Sequence, residues 1–169
     1  MIFSRIYILI MIVTFVILLL SYYFILNNSS HIDIMWGNIK GNLLLFYYFS
    51  ILLTWIGLVL LGYYLFNAKS FTPYDENHIF FGIMSMFIIS IFWTPLTIHY
   101  LKSNSYKSLF KYLIILILLL VSLSAMYVTY ILFMIKENSV SRNLALTGMI
   151  YYSFHAFFLD TILWSFKFF

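Results

Sequence analysis

Two residues able to move protons lie in the last apolar stretch of the chain, YYSFHAFFLDTILWSF, residues 151–166. They are His155 and Asp160, and an imidazole beside a carboxylate is a common pairing for proton transfer. A regular α-helix turns by about 100° per residue, so residues five apart point about 140° away from each other. The spacing therefore predicts that His155 and Asp160 lie on different faces of a helix and do not form a direct pair.

Depth along the predicted helices sorts the embedded polar residues into two layers. An α-helix rises about 1.5 Å per residue, so positions on neighbouring helices can be compared by counting from one membrane face. Asp160 falls level with Thr94 and with residues 48–50. Thr94 and the tyrosine hydroxyls of the second helix are therefore the predicted hydrogen-bond donors to Asp160. His155 falls in the other layer, with three hydroxyl residues: Thr14, Thr54 and Ser122.

Asp160 is the polar residue that is most costly to place in a membrane. An ionised carboxylate in the middle of a membrane helix costs about 2.5–3.5 kcal/mol on insertion scales. It is tolerated when it faces the bundle interior with a partner, or when it is protonated. Two interpretations stay open: a structural hydrogen-bonded carboxyl group, or a site for a proton or small solute, since membrane carboxylates often mark such paths.

The motif FWTP, residues 92–95, lies near the depth of Asp160. Pro95 has no backbone N–H to donate to the carbonyl of Ile91, so it predicts a kink in the third helix. A freed carbonyl beside Thr94 is the kind of local break found at transport sites. Proline kinks also occur in purely structural membrane helices, so the motif gains weight only beside Asp160.

Small and hydroxyl residues recur along single faces of the predicted helices. Ser50, Thr54 and Gly57 follow the spacing i, i+4, i+7. Such faces let membrane helices approach closely and hydrogen-bond to each other. We expect this face to point into the bundle, with helix packing as its simplest role.

Catalytic, metal and cofactor chemistry have little support in the sequence. The chain has no cysteine, which excludes disulfides, thiolate metal sites and a cysteine nucleophile. His78 and His99 lie at opposite ends of one predicted helix, His31 lies in a loop, and none is level with His155, so no pair could ligate a haem. HExxH, GxSxG, GxGxxG and Walker patterns are missing. We therefore predict no enzyme activity, no catalytic residue, no metal site and no cofactor.

Composition places the protein in a membrane. Hydrophobic residues make up 64% of the chain and charged residues 8%, whereas a soluble domain carries about 25% charged residues. The nine lysines and arginines are scattered, which is typical of anchoring at membrane edges rather than of nucleic-acid binding. Abundant Ile, Phe, Tyr, Asn and Lys with little Ala indicate an AT-rich genome, such as that of an organelle, an intracellular microbe or a large virus. Which membrane holds the protein is not determined.

Apolar runs predict the architecture, since about 20 apolar residues cross a bilayer. Lipid-exposed backbone must bond to itself, so these runs should be helices. We expect a single domain over residues 1–169: an all-α integral membrane bundle of five transmembrane helices, the third kinked at Pro95. The predicted spans are residues 6–26, 43–66, 79–101, 109–135 and 146–166.

The loop after the first span holds two overlapping glycosylation sequons, which begin at Asn27 and Asn28. Their use would place that loop in a lumen and the N-terminus in the cytoplasm. The scattered positive charges favour neither orientation clearly.

The leading prediction of function is a multipass membrane protein that serves as a non-catalytic structural or accessory subunit of a larger membrane assembly. Its partners would be the lipid bilayer and other membrane subunits or further copies of itself. The alternative is a proton-coupled or small-solute transporter or channel component. In that alternative Asp160 titrates, Thr94 and the backbone at Pro95 shape the path, and the second polar layer lines it: His155, Thr54 and Ser122.

Overall fold

All regular structure in the described part of the chain is helical. The computed structural model describes residues 4–27, 35–68, 71–103 and 106–169, the side chains of 24–26 excepted. The all-α prediction is confirmed for these residues. The elements in chain order are α1 (Arg5–Asn27), α2 (Asn42–Asn67), α3 (Pro73–Ile91), α4 (Trp93–Lys102), α5 (Lys107–Met134), α6 (Val140–Phe154), a π-helical segment (His155–Trp164) and α7 (Ser165–Phe168).

Four helical stretches of the described chain are long and apolar enough to cross a membrane. They coincide with the first four predicted spans and agree with a membrane-embedded protein: Arg5–Tyr23, Asn42–Asn67, Pro73–Lys102 and Lys107–Met134. The fifth predicted span, residues 146–166, falls where α6, the π segment and α7 follow one another. Its crossing of the membrane stays a prediction.

Polar residues in the short joints fix where the helices begin and end. Thr72 caps α3, because its hydroxyl accepts from the Asp75 N–H at 3.1 Å while its own N–H donates to the Asp75 carboxylate at 3.2 Å. Pro73 follows at the first helical position, where its missing N–H costs nothing. The Arg142 guanidinium donates to the Phe133 carbonyl at 2.7 Å and so satisfies the end of α5.

The helices pack side by side in an order that differs from the order of the chain. Going around the bundle, α1 packs on α3, α3 on α5, α5 on α6, and α6 on α2. Backbone packing does not close the ring, because α1 and α2 meet through side chains such as Phe15 and Trp55, whose ring centroids lie 5.4 Å apart, and not by close packing of the helices. An open seam therefore runs between the first and second helices, although they are neighbours in sequence.

A close helix crossing joins α2 to α6 through two glycines. Gly57 lies so near Gly148 that a Cβ atom added to Gly57 would meet the Gly148 carbonyl oxygen at 2.7 Å. Ser50 and Thr54 lie on the same buried face of α2. The small-residue face predicted from the sequence thus points into the bundle, as expected.

The third predicted helix is interrupted close to its proline. A turn at Phe92 separates α3 from α4, and the Phe92 N–H bonds to the Ile89 carbonyl at 3.2 Å, a tighter step than the α-helical one. Pro95 is the third residue of α4 and cannot donate to Ile91. The helix is interrupted at Phe92, three residues ahead of the proline, and the kink at Pro95 itself stays a prediction.

The first loop is only partly described. Asn27 is the last residue of α1, whereas Asn28 and His31 lie outside the described residues. The use of either sequon stays a prediction.

Gly57→Ala is expected to lower the free energy of unfolding by about 1–3 kcal/mol, because overpacking forces two backbones apart. Gly62→Ala, in the same helix, is the matched control, since nothing lies within 4 Å of an added Cβ there. Unfolding in mixed micelles by titration with sodium dodecyl sulfate measures both. Equal stability of the two variants would contradict the close α2–α6 crossing.

Candidate functional site

The π-helical segment brings together the two residues that α-helical spacing kept apart. His155 Nε2 lies 3.4 Å from an Asp160 carboxylate oxygen. A π-helix bonds residues five apart along the chain, so side chains with that spacing share a face. The prediction that His155 and Asp160 lie on different faces was wrong, because it assumed the turn angle of an α-helix.

Hydroxyl groups help to hold this unusual segment in place. The Thr161 hydroxyl donates to the Ala156 carbonyl, five residues earlier, at 2.8 Å. Ser122 of α5 lies 2.9 Å from the same Thr161 hydroxyl. Ser122 therefore contacts the π segment but not His155, with which it was predicted to share a layer.

A tyrosine of α2 supplies the main hydrogen bond to the Asp160 carboxylate. The Tyr47 hydroxyl donates to the same oxygen that faces His155. The prediction of a tyrosine donor from the second helix is thus confirmed. Thr94, the other predicted donor, does not reach Asp160. Its buried hydroxyl lies near that of Tyr22 and has no hydrogen bond of normal geometry within the described chain.

His155 links Asp160 to a further pair of hydroxyl groups. Its Nδ1 lies 2.7 Å from the Ser50 hydroxyl oxygen, which in turn lies 2.7 Å from the Tyr151 hydroxyl oxygen. Each of these groups can both donate and accept a hydrogen bond. The result is a chain of polar atoms from Asp160 through His155 and Ser50 to Tyr151.

Thr54 and Thr14, which were predicted to lie level with His155, do not hydrogen-bond to His155 or Asp160. The Thr54 hydroxyl donates to the Ile51 carbonyl at 2.6 Å, within its own helix. The Thr14 hydroxyl does the same with the Ile10 carbonyl at 2.9 Å. Thr54 still lines the cavity described next, so it shapes the site by its volume rather than by a bond to Asp160.

Asp160 forms part of the wall of a cavity of about 480 Å³. The cavity lies between α1, α2, α3 and the π segment, in the half of the bundle where α2 begins. Small-molecule sites in proteins occupy about 300–1,000 Å³. Its polar lining consists of Tyr22, Tyr47, Tyr48, Thr54, Ser90, Tyr152, His155 and Asp160.

Aromatic rings make up much of the remaining lining. The chain has four tryptophans, and all of them line this one cavity: Trp36, Trp55, Trp93 and Trp164. Tryptophans of membrane proteins are usually enriched at the two membrane surfaces. Their convergence on the cavity of Asp160 is not explained by that preference.

A second, wholly apolar cavity of about 340 Å³ lies farther along the same seam. Both cavities are lined by α1, α2 and α3, and they share four lining residues: Phe15, Trp55, Leu58 and Phe87. The open seam between α1 and α2 therefore has a polar pocket at one end and an apolar one at the other.

Sequence reasoning missed most partners of Asp160 and His155. Ser50 was assigned to the depth of Asp160 but bonds to His155, and Tyr151, which bonds to Ser50, was assigned to neither polar layer. A polar face on α2 at residues 47, 50 and 54 was visible in the sequence. The contacts of this face with residues 151, 155 and 160 depend on the π-helical turn of residues 155–164, and no pattern in the sequence predicted that turn.

Metal ligation has no visible site in the described chain, where no three His, Cys, Asp or Glu side chains cluster. Comparisons with protein-family models, with curated proteins and with solved structures each gave no match to this chain.

Tyr47→Phe is expected to lower the free energy of unfolding by about 1.5–3 kcal/mol, because it removes a hydrogen bond to a charged or ionisable group. Tyr48→Phe is the control, because Tyr48 lies beside Tyr47 and is largely exposed. Unfolding in mixed micelles is again the measurement. If both variants lose the same stability, the Tyr47–Asp160 bond does not hold α2 to the π segment.

Proposed function

We propose that the protein is a proton-coupled or small-solute transporter of five membrane spans, in which Asp160 takes up and releases a proton. The observation that carries this proposal is the position of Asp160 in the wall of a large cavity. A carboxyl group with a purely structural role would be expected in a closely packed contact between helices that leaves no room for water. Asp160 instead faces open volume on one side and a chain of polar atoms on the other.

The difference in exposure supports different tasks for Asp160 and His155. The Asp160 side chain is 32% exposed and the His155 side chain 7%. Asp160 is therefore the group that exchanges protons with the contents of the cavity. His155 also lines the cavity but is much less exposed, and its polar contacts are Asp160 on Nε2 and Ser50 on Nδ1.

The chain of polar atoms from Asp160 through His155 and Ser50 to Tyr151 has the chemistry needed to relay a proton. A neutral imidazole with its proton on Nδ1 accepts the Asp160 proton on Nε2 and releases the other proton to Ser50. The Ser50 hydroxyl takes up that proton as it gives its own to the Tyr151 hydroxyl, and Tyr151 in turn gives up its phenol proton, so that both hydroxyl groups remain neutral. The other titratable groups around Asp160 are Tyr47, Tyr22 and Tyr152, none of which is a fixed cation.

A structural or accessory subunit is the competing proposal, and the open seam between α1 and α2 favours it. In a larger assembly, a helix of another subunit could fill that apolar gap. The Tyr47–Asp160–His155 contacts would then only hold α2 against the π segment. The two proposals differ in whether the isolated protein moves protons.

Asp160→Asn is expected to abolish proton flux while leaving the bundle folded, because the amide keeps the shape and can still accept from Tyr47 but cannot exchange a proton. Wild-type protein in liposomes that contain a pH-sensitive dye should equilibrate an imposed pH gradient faster than protein-free liposomes. The Asn variant should match the protein-free rate. Helical circular dichroism and elution volume establish that it is folded.

Asp75→Asn is the matched control, since it makes the same change at a helix cap outside the cavity. It should keep the wild-type flux. A wild-type rate no faster than that of protein-free liposomes, under both a pH gradient and a membrane potential, would contradict the transport proposal and favour the accessory role.

A further inference from the structure

The cavity of Asp160 has the wall chemistry of a site for organic cations. Its aromatic lining includes every tryptophan of the chain together with several tyrosines. The faces of tryptophan and tyrosine rings carry negative charge density and attract cations, and quaternary ammonium groups are commonly held in such aromatic cages. A purely apolar ligand would not require this concentration of the most electron-rich rings.

The formal charges around the cavity point in the same direction. Asp160 is the only acidic residue among the described residues that line it, and no lysine or arginine lies among them. The one cationic side chain near it in the chain, Lys167, places its Nζ over the Phe166 ring at 5.8 Å. Among the described residues the carboxylate therefore has no fixed positive partner, and a cationic solute would supply one.

The size and ligand set of the cavity exclude a bare metal ion as the natural occupant. A volume of about 480 Å³ fits a molecule with a body of many atoms. Calcium and magnesium require about six oxygen ligands, whereas one carboxylate and one imidazole are the only strong ligands here. The charge must therefore be carried on an organic group that also fills the space between the rings.

Space for the apolar part of such a solute lies along the seam between α1 and α2. The apolar cavity of about 340 Å³ lies on the same seam and shares four lining residues with the cavity of Asp160. A molecule with a cationic end and an apolar body can lie along both. Its charged end would meet Asp160 while its body stays among the side chains of α1 and α2.

We propose that the solute of this site is a lipophilic organic cation, held by the Asp160 carboxylate and the cage of tryptophan and tyrosine rings, with its apolar part along the α1–α2 seam. This inference deepens the proposed function and rests on it for the idea that the site carries a solute. Binding itself requires no transport, so the two proposals can fail separately.

Tryptophan fluorescence tests the inference directly, because all four tryptophans line the cavity. Purified protein in lipid nanodiscs is titrated with tetraphenylphosphonium, a lipophilic cation, and with tetraphenylborate, an anion of the same shape. We expect a saturable change in tryptophan emission with the cation. The anion should give only the linear, unsaturated change that partition into lipid produces.

Variants assign the binding to the carboxylate. Asp160→Asn should weaken tetraphenylphosphonium binding about tenfold or more, since it removes the only charge complementary to the ligand. Asp160→Glu retains the charge and should bind within about threefold of the wild type. Asp75→Asn changes a carboxylate outside the cavity and should bind as the wild type does.

The outcomes separate the proposals. Saturable binding of the anion as tight as that of the cation, or no saturable binding of either by the wild type, would overturn the assignment of an organic cation. That comparison needs no variant, so it holds even if Asp160→Asn fails to fold. Cation binding without proton flux would contradict transport alone, and proton flux without cation binding would contradict the solute class alone.

Discussion

The Asp160 carboxylate can remain inside an apolar bundle because two side chains meet one of its oxygens. Tyr47 donates to that oxygen from α2, and His155 Nε2 approaches it from the same π-helical segment. Without such partners, a carboxylate at this depth would cost several kcal/mol. The contact also ties α2 to the end of the chain and sets the side of the segment that faces the cavity.

The π-helical turn is what makes this arrangement possible. π-helical turns are rare and are found often at functional sites. Here the turn aligns His155 with Asp160, and the hydrogen bonds of Thr161 to Ala156 and Ser122 accompany it. The close α2–α6 crossing at Gly57 and Gly148 brings Ser50 within reach of His155. Packing and polar chemistry therefore depend on each other in this half of the bundle.

The open seam gives the bundle its second distinctive property. Because α1 packs closely on α3 and meets α2 only through side chains, two cavities lie along the seam between α1 and α2, one of them beside Asp160. A polar group beside such an opening is costly unless something of complementary chemistry reaches it, which connects the architecture to a solute or to a partner subunit.

Much of the fold follows from the sequence. Four apolar stretches became helices that can cross a membrane, because lipid leaves the backbone no other partner for its hydrogen bonds. The small-residue face of α2 is buried, since glycine lacks a Cβ atom and lets another helix come close. The helix is interrupted near Pro95, since proline lacks a backbone N–H, and both effects are local. The prediction that Thr94 donates to Asp160 was wrong. Counting residues along a helix gives the depth of a side chain but not the direction in which it points around the helix axis.

The sequence by itself determined the helical class, the four apolar helices long enough to cross a membrane and the presence of a carboxylate in the last apolar stretch, since each depends only on residue type and local spacing. The tertiary structure alone decided the partners of Asp160. Which side chains meet depends on the helix order around the ring and on the turn angle of residues 155–164, and both are set by packing between distant segments. For the same reason, the gathering of four tryptophans around one cavity could not be read from positions 36, 55, 93 and 164.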